Sequence, residues 1–120
     1  MIETLATEGF TFELLECKKA GSVTCYFMIT SNEQDKKLDI QGSYRPSRIF
    51  DDLGNEYFAT RAQLGNRSAN QGVESLLIAG IPTKASVNFS KISSQAGTIS
   101  LLELNCYKFK LQFRNVPFSE

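Results

Sequence analysis

The chain has 120 residues, of which 42% are hydrophobic, and its thirteen basic and thirteen acidic side chains cancel. This length and hydrophobic content predict one domain, 1–120, with an ordered core over about 8–118 that needs no metal or disulfide to fold. The lack of a basic excess argues against a nucleic-acid partner, and no apolar run is long enough for membrane insertion as a helix.

Apolar and polar residues alternate along most of the chain with the period of half-buried β-strands, and no segment keeps a helical period. The predicted strands, in chain order, cover 10–14, 23–30, 38–40, 48–51, 55–61, 73–79, 85–89, 99–104 and 107–114. Turn residues separate these runs, and 66–72 is the longest polar loop. The pattern predicts an all-β fold, an antiparallel, immunoglobulin-like β-sandwich of about 7–9 strands.

The strands at 23–30 and 107–114 show the clearest alternation, and each has one apolar face. We expect the following side chains to face the core: Val23, Cys25, Phe27, Ile29, Tyr107, Phe109, Leu111 and Phe113. The short strand around 38–41 and the last strand are expected at sheet edges, where a strand can pair with a neighbouring molecule.

The segment Asp51-Asp52-Leu53-Gly54 separates two β-prone runs and predicts a hairpin. An Asp side chain at the first turn position bonds back to the local backbone, and Gly at the fourth position adopts a positive φ without a Cβ clash. Together they are typical of a type I turn followed by a left-handed glycine.

Histidine is absent, which excludes a Ser-His-Asp or Cys-His site within the chain. Cys17, Cys25 and Cys106 match no zinc spacing, and we expect all three to be reduced, small apolar strand residues. The alternative is a Cys17–Cys25 disulfide across the Ala20-Gly21 turn in one register of the hairpin. No signal peptide is evident at the acidic N-terminus, so the default location is cytoplasmic.

Three patches resemble a family of small immunoglobulin-like sandwich domains of unknown function from bacteria, notably cyanobacteria. They are 47–57 with its D-x-x-G-x-x-Y hairpin, 80–89 with its P-x-x-x-x-x-x-F strand, and 99–104 followed by 111–116 with F-R-N. The resemblance spans about 10–118. It implies a sandwich that serves as an accessory, non-catalytic module, and it supplies no catalytic residues.

Two groups of polar and charged residues are candidate functional sites. Oxygen ligands from Asp51, Asp52, Asn55 and Glu56 surround one turn, as calcium would require, although turn chemistry already explains them and we expect no metal site. Lys108, Lys110 and Arg114 share one face of the predicted last strand with Gln112. They form a candidate surface for an acidic partner, the alternative being a solvated face that discourages edge pairing.

Two classes of function remain. The favoured one is a non-catalytic β-sandwich module, alone or within a larger protein, that mediates protein–protein contact or self-association. The alternative is a small-ligand-binding or carboxylate-based hydrolytic domain, which would require a pocket with two close carboxylates of raised pKa. No catalytic or cofactor motif is present, so we expect no enzyme activity and no cofactor.

Overall fold

The computed structural model describes residues 1–119, and this part of the chain forms β-strands and no helix. The strands are β1 (Glu3–Thr7), β2 (Phe10–Ala20), β3 (Ser22–Ser31), β4 (Lys36–Gln41), β5 (Arg48–Asp51), β6 (Glu56–Leu64), β7 (Arg67–Ala69), β8 (Gly72–Leu77), β9 (Thr83–Phe89), β10 (Thr98–Asn105) and β11 (Lys110–Pro117). Nothing in residues 1–119 is a helix long and apolar enough to cross a membrane.

Nine strands form one antiparallel sheet in the order β1-β2-β3-β9-β6-β5-β10-β11, with β7 paired to β6. This sheet curls until its end returns to its beginning: beyond β11, Ser119 N donates to the Cys17 carbonyl of β2 at 2.8 Å and bridges Lys18. The result is a nearly closed barrel. The other two strands, β4 and β8, pair with each other and pack against β6 and β10.

The all-β, antiparallel prediction is confirmed, whereas the count of about 7–9 strands is wrong, because residues 1–119 contain eleven. The two additional strands are β1 and β7, and β7 lies in the predicted polar loop. Both are short and bury little side-chain surface. They form because their backbones pair with longer neighbours, β2 and β6. Side-chain alternation does not predict such backbone pairing.

The core follows the alternation on β2, β3 and β9. On β3 the four predicted core side chains are buried: Val23, Cys25, Phe27 and Ile29. On the last strand the prediction holds for Leu111 and Phe113, but Phe109 is only half-buried and Tyr107 is 47% exposed. The strand begins at Lys110 rather than at residue 107, because residues 106–109 form a tight turn.

The predicted Asp51–Gly54 turn is confirmed. Gly54 N donates to the Asp51 carbonyl at 3.2 Å, and Gly54 has a φ of +86°. One carboxylate oxygen of Asp51 accepts from the backbone N–H groups of Leu53 and Asn55, each at 2.9 Å. The side chain therefore holds the turn closed, as the sequence predicts.

The expectation of three reduced cysteines is wrong, because Cys17 and Cys25 form a disulfide. They stand directly opposite each other on β2 and β3, with Cα atoms 4.0 Å apart. A two-residue Ala20-Gly21 loop would pair Cys17 with Thr24 instead. The observed turn centres on Gly21, which has a φ of +83°, and this moves Cys25 into register. Structural disulfides are typical of proteins in oxidising compartments.

Thiol titration of the unfolded, unreduced protein should give one thiol per chain, that of Cys106, and prior reduction should give three. In the native protein Cys106 should react slowly, because it is 3% exposed and burial raises the pKa of its thiol. A count of three without reduction would contradict the disulfide.

Candidate functional site

Two loops lie against each other, the 43–47 segment after β4 and the 106–109 turn between β10 and β11. The first loop is fixed against the β7–β8 connection. Gly42 N and Tyr44 N both donate to the Gln71 carbonyl, at 2.9 and 3.1 Å. Gly42 permits this approach, since a Cβ there would overlap the Asn70 carbonyl. Tyr44 is thereby held at the surface.

Asn105 ties the two loops together. Its side-chain amide donates to the Arg45 carbonyl at 2.7 Å, and its side-chain oxygen accepts from Tyr107 N at 2.9 Å. Its own backbone N–H donates to Ser47 Oγ at 3.0 Å. Both Asn105 and Ser47 are buried, the bond between them is shielded from water, and the two partly buried side-chain bonds of Asn105 fix the backbone of Arg45 and Tyr107.

Tyr107 has an unusual backbone. Its φ is +68°, and Lys108 N donates across it to the Cys106 carbonyl at 2.8 Å, which makes it the centre of a γ-turn with positive φ. This is the rarer and strained of the two γ-turn classes, and positive φ is unfavourable for a bulky aromatic residue. The neighbouring Arg45 also has a positive φ, of +47°. Such strain persists only where the surroundings impose it, and it concentrates at functional sites.

The side chains of these loops form an exposed cluster. The Arg45 guanidinium lies over both tyrosine rings, 5.1 Å from the Tyr107 centroid and 5.7 Å from that of Tyr44. The two rings are 47% and 54% exposed, respectively. We call Tyr44, Arg45 and Tyr107 the Tyr107 ridge. It is a rigid aromatic and cationic surface in contact with solvent.

An acidic groove of about 390 Å³ lies on one side of the ridge, between the β4–β8 sheet and Tyr107. Asp39 and Glu74 face each other there across the strand pair. Burial raises the pKa of Asp39, and the charge of Glu74 and a hydrogen bond with it raise that pKa further, with Lys108 acting in the opposite direction. An adjoining cavity of about 260 Å³ shares this carboxyl pair.

A basic groove of about 360 Å³ lies on the other side of the ridge. Three cationic side chains line it, Arg45, Arg48 and Lys110, together with Tyr107 and the half-exposed ring of Phe58. Arg48 is held by two carboxylates, with N–O distances of 2.8 Å to Glu56 and 3.1 Å to Glu103. The ridge therefore separates two grooves of opposite charge.

The predicted basic stripe is divided by the fold. Lys110 and Arg114 lie on the outer face of β11, and Lys110 lines the basic groove. Lys108 lies in the turn before β11 and lines a different cavity, beside Asp39 and Glu74. The three residues do not form one surface because the γ-turn at Tyr107 interrupts the strand that was expected to align them.

The four candidate metal ligands are engaged in the hairpin and its surroundings. Asp51 accepts several hydrogen bonds, one of them from the Asn55 amide at 3.2 Å. Asp52 accepts from Gly97 N at 3.0 Å, and Glu56 pairs with Arg48. Residues 1–119 contain no group of three or more His, Cys, Asp or Glu side chains placed to hold a metal ion.

Sequence reasoning missed the Tyr107 ridge and the Asp39–Glu74 pair. Tyr107 continues the alternation of the last strand, so the pattern assigns it to the core. The chain instead turns there, and the long-range bond from Asn105 to Arg45 that helps to fix this turn cannot be read from the pattern. Asp39 and Glu74 lie in separate predicted strands, and the partners of those strands cannot be deduced from spacing.

No family model, curated protein or solved structure matches this chain.

Proposed function

We propose that this domain is a non-catalytic recognition module that contacts a protein partner through the Tyr107 ridge. The observation that carries this proposal is Tyr107 itself, a large aromatic side chain held exposed on a strained γ-turn. If this residue served only the fold, burying its ring or replacing it by glycine at such a φ would make the fold more stable. Exposure together with strain favours a role in binding.

The chemistry of the ridge supports recognition of a protein surface. Tyrosine and arginine are enriched among the residues that contribute most to protein–protein binding. Side-chain bonds from Asn105 already fix both ridge loops, so little conformational entropy remains to be lost on association. Grooves of opposite charge on the two sides would orient a partner with complementary charges.

Replacing Tyr107 with glycine tests the proposal, because glycine tolerates the γ-turn and removes the ring. Affinity capture from an extract of the source cells, quantified by mass spectrometry, should show that the affinity for specific partner proteins falls about thirtyfold. That is the effect of losing about 2 kcal/mol of binding free energy at a hot spot. The free energy of unfolding should change by less than about 1 kcal/mol, since the ring is exposed and the strain is relieved.

Tyr26→Ala is the matched control, because Tyr26 is an exposed tyrosine on β3 that lines a separate cavity. It should retain the captured proteins at wild-type level. Equal retention by wild type, Tyr107→Gly and Tyr26→Ala would overturn the proposal. Self-association through a sheet edge would appear instead as a dimer in light scattering that Tyr107→Gly leaves unchanged.

The Asp39–Glu74 pair favours a second candidate, a carboxylate-based hydrolase or small-ligand site. The two residues are paired directly across β4 and β8, and a hydrogen bond between their carboxyl groups contributes, after burial and the charge of Glu74, to the raised pKa of Asp39. Glycosidases separate their two carboxyl groups by about 5–9.5 Å to admit a sugar carbon or a water molecule, so a hydrogen-bonded pair argues against glycoside hydrolysis in particular. A hydrolytic role would require activity that Asp39→Asn abolishes while Tyr107→Gly retains it.

We also propose that the fold is an immunoglobulin-like sandwich related to the bacterial accessory domains that the sequence resembles. The packing of Phe27 on β3 against Phe113 on β11 supports this, with ring centroids 6.0 Å apart across the interior. In this reading the two halves of the curled sheet are the two layers, and β6 belongs to both.

A further inference from the structure

We propose that the basic groove is a subsite for a carboxylate of the partner, presented by an acidic side chain next to an aromatic one on an extended segment. This inference rests on the proposed function and specifies the chemistry that the partner must carry. It depends on the salt bridges of the cations in the groove, on the aromatic side chains that line it, and on the acidic groove across the ridge.

Two of the three cations in the groove form no salt bridge among the described residues. Arg48 has its charge satisfied by Glu56 and Glu103, as the two ion pairs show. The Arg45 guanidinium lies over two tyrosine rings, and Lys110 forms no salt bridge within residues 1–119, although its charge acts on the nearby Glu103. Three cationic side chains against the carboxylates of Glu56 and Glu103 leave net positive charge in the 360 Å³ groove. A carboxylate is the complementary group.

The walls of the groove are aromatic. Phe58 is 50% exposed, and it lies directly beside Arg48 in the register of β5 and β6. Tyr107 also lines the groove and is 47% exposed. An apolar or aromatic side chain next to the carboxylate would cover both rings and remove their surface from water. A small inorganic anion would leave that surface exposed.

The acidic groove across the ridge argues against a polyanion. A nucleic acid or polyphosphate that reached Arg45 and Lys110 would bring further negative charges towards Asp39 and Glu74. The chain also has no net positive charge with which to attract one. An isolated carboxylate on a peptide avoids this repulsion, so a protein segment is favoured over a phosphate ligand.

Two synthetic peptides that differ by one charge test the inference, Ac-Gly-Tyr-Asp-Tyr-Gly-NH₂ and its Asn counterpart. In an NMR titration of the full chain, the Asp peptide should shift the backbone amides of Tyr107 and Lys110. The Asn peptide should bind at least about fivefold more weakly, because it lacks the charge-assisted contact. Equal affinity of the two peptides, or no binding of either, would overturn the carboxylate subsite.

Charge reversal at Lys110 locates the effect. Lys110→Glu should weaken binding of the Asp peptide about tenfold. Lys110→Gln, which replaces it if charge reversal perturbs the fold, should weaken binding by a smaller factor. Lys84→Glu is the control, because it makes the same change in net charge on β9, away from the groove. Equal effects of Lys110→Glu and Lys84→Glu would contradict the assignment.

Adenosine monophosphate tests the alternative phosphate ligand. If it shifts the same amides and binds more tightly than the Asp peptide, the groove is a phosphate site and the carboxylate proposal is wrong. The two proposals fail separately. If Tyr107→Gly loses the captured proteins while both peptides bind equally, only the carboxylate subsite is wrong. If Tyr107→Gly retains every captured protein, the recognition role of the ridge is wrong whatever the peptides do.

Discussion

Replacing Phe113 with alanine should lower the free energy of unfolding by about 3–5 kcal/mol, the range for deleting a buried phenylalanine ring. Phe113 is fully buried on β11, and its ring packs against Phe27 of β3 with centroids 6.0 Å apart. The contact joins the last strand to the opposite part of the curled sheet. Its loss leaves a cavity there that a backbone constrained by its neighbouring strand pairs cannot fill.

Phe109→Ala is the matched comparison, because Phe109 has the same side chain in the turn just before β11. It is half-buried, with its ring 6.3 Å from that of Phe10 and 6.2 Å from that of Phe12. The expected cost is about 1–2 kcal/mol, since part of the ring already contacts water. Urea unfolding with the disulfide intact measures both variants. Equal costs would place Phe109 in the core, as the uninterrupted alternation of 107–113 predicts.

The fold class and much of the core can be predicted from this sequence because they depend on local patterns. Alternation with a period of two assigns Val23, Phe27 and Ile29 to the interior without knowledge of the neighbouring strands. The Asp51–Gly54 turn is similarly local, since its bonds all lie within a few residues. These features need no long-range information.

The features that were missed depend on register and on contacts between distant segments. A shift of one residue in the β2–β3 turn decides whether Cys17 faces Thr24 or Cys25, and composition does not determine it. The Tyr107 ridge depends on the bonds that Asn105 makes to Arg45 and Tyr107. The proposed recognition site therefore lies where local patterning and tertiary structure disagree, which is where functional positions are expected.

Asp51→Asn should lower the free energy of unfolding at neutral pH by about 2–3 kcal/mol, although it changes the size of the side chain little. Asp51 is 2% exposed and accepts from Leu53 N and Asn55 N, and from Tyr57 Oη at 2.8 Å. Tyr57 Oη in turn accepts from Ser93 N at 3.2 Å. An asparagine amide would present N–H groups where some of these donors require an acceptor, leaving buried donors unsatisfied.

Asp52→Asn is the control, because Asp52 is exposed in the same turn and accepts a single backbone bond, from Gly97 N. Its cost should stay below about 1 kcal/mol, the usual range for an exposed residue with one such contact. A cost for Asp51→Asn that does not exceed the cost for Asp52→Asn would contradict the role of Asp51 as the organiser of the hairpin.

The pH dependence separates the charge of Asp51 from its shape. Burial alone would raise the pKa of Asp51, but hydrogen bonds from Asn55, Tyr57 and Leu53 outweigh it and leave that pKa lowered. A lowered folded-state pKa means that the unfolded chain binds the proton more readily, so the stabilisation is complete above the ordinary Asp pKa of about 3.9 and is lost as pH falls through the folded-state value. Urea unfolding from pH 7 down to about pH 2 should therefore show wild type and Asp51→Asn converging below about pH 4. A stability difference that stays constant across this range would mean that the carboxylate charge contributes nothing to the turn.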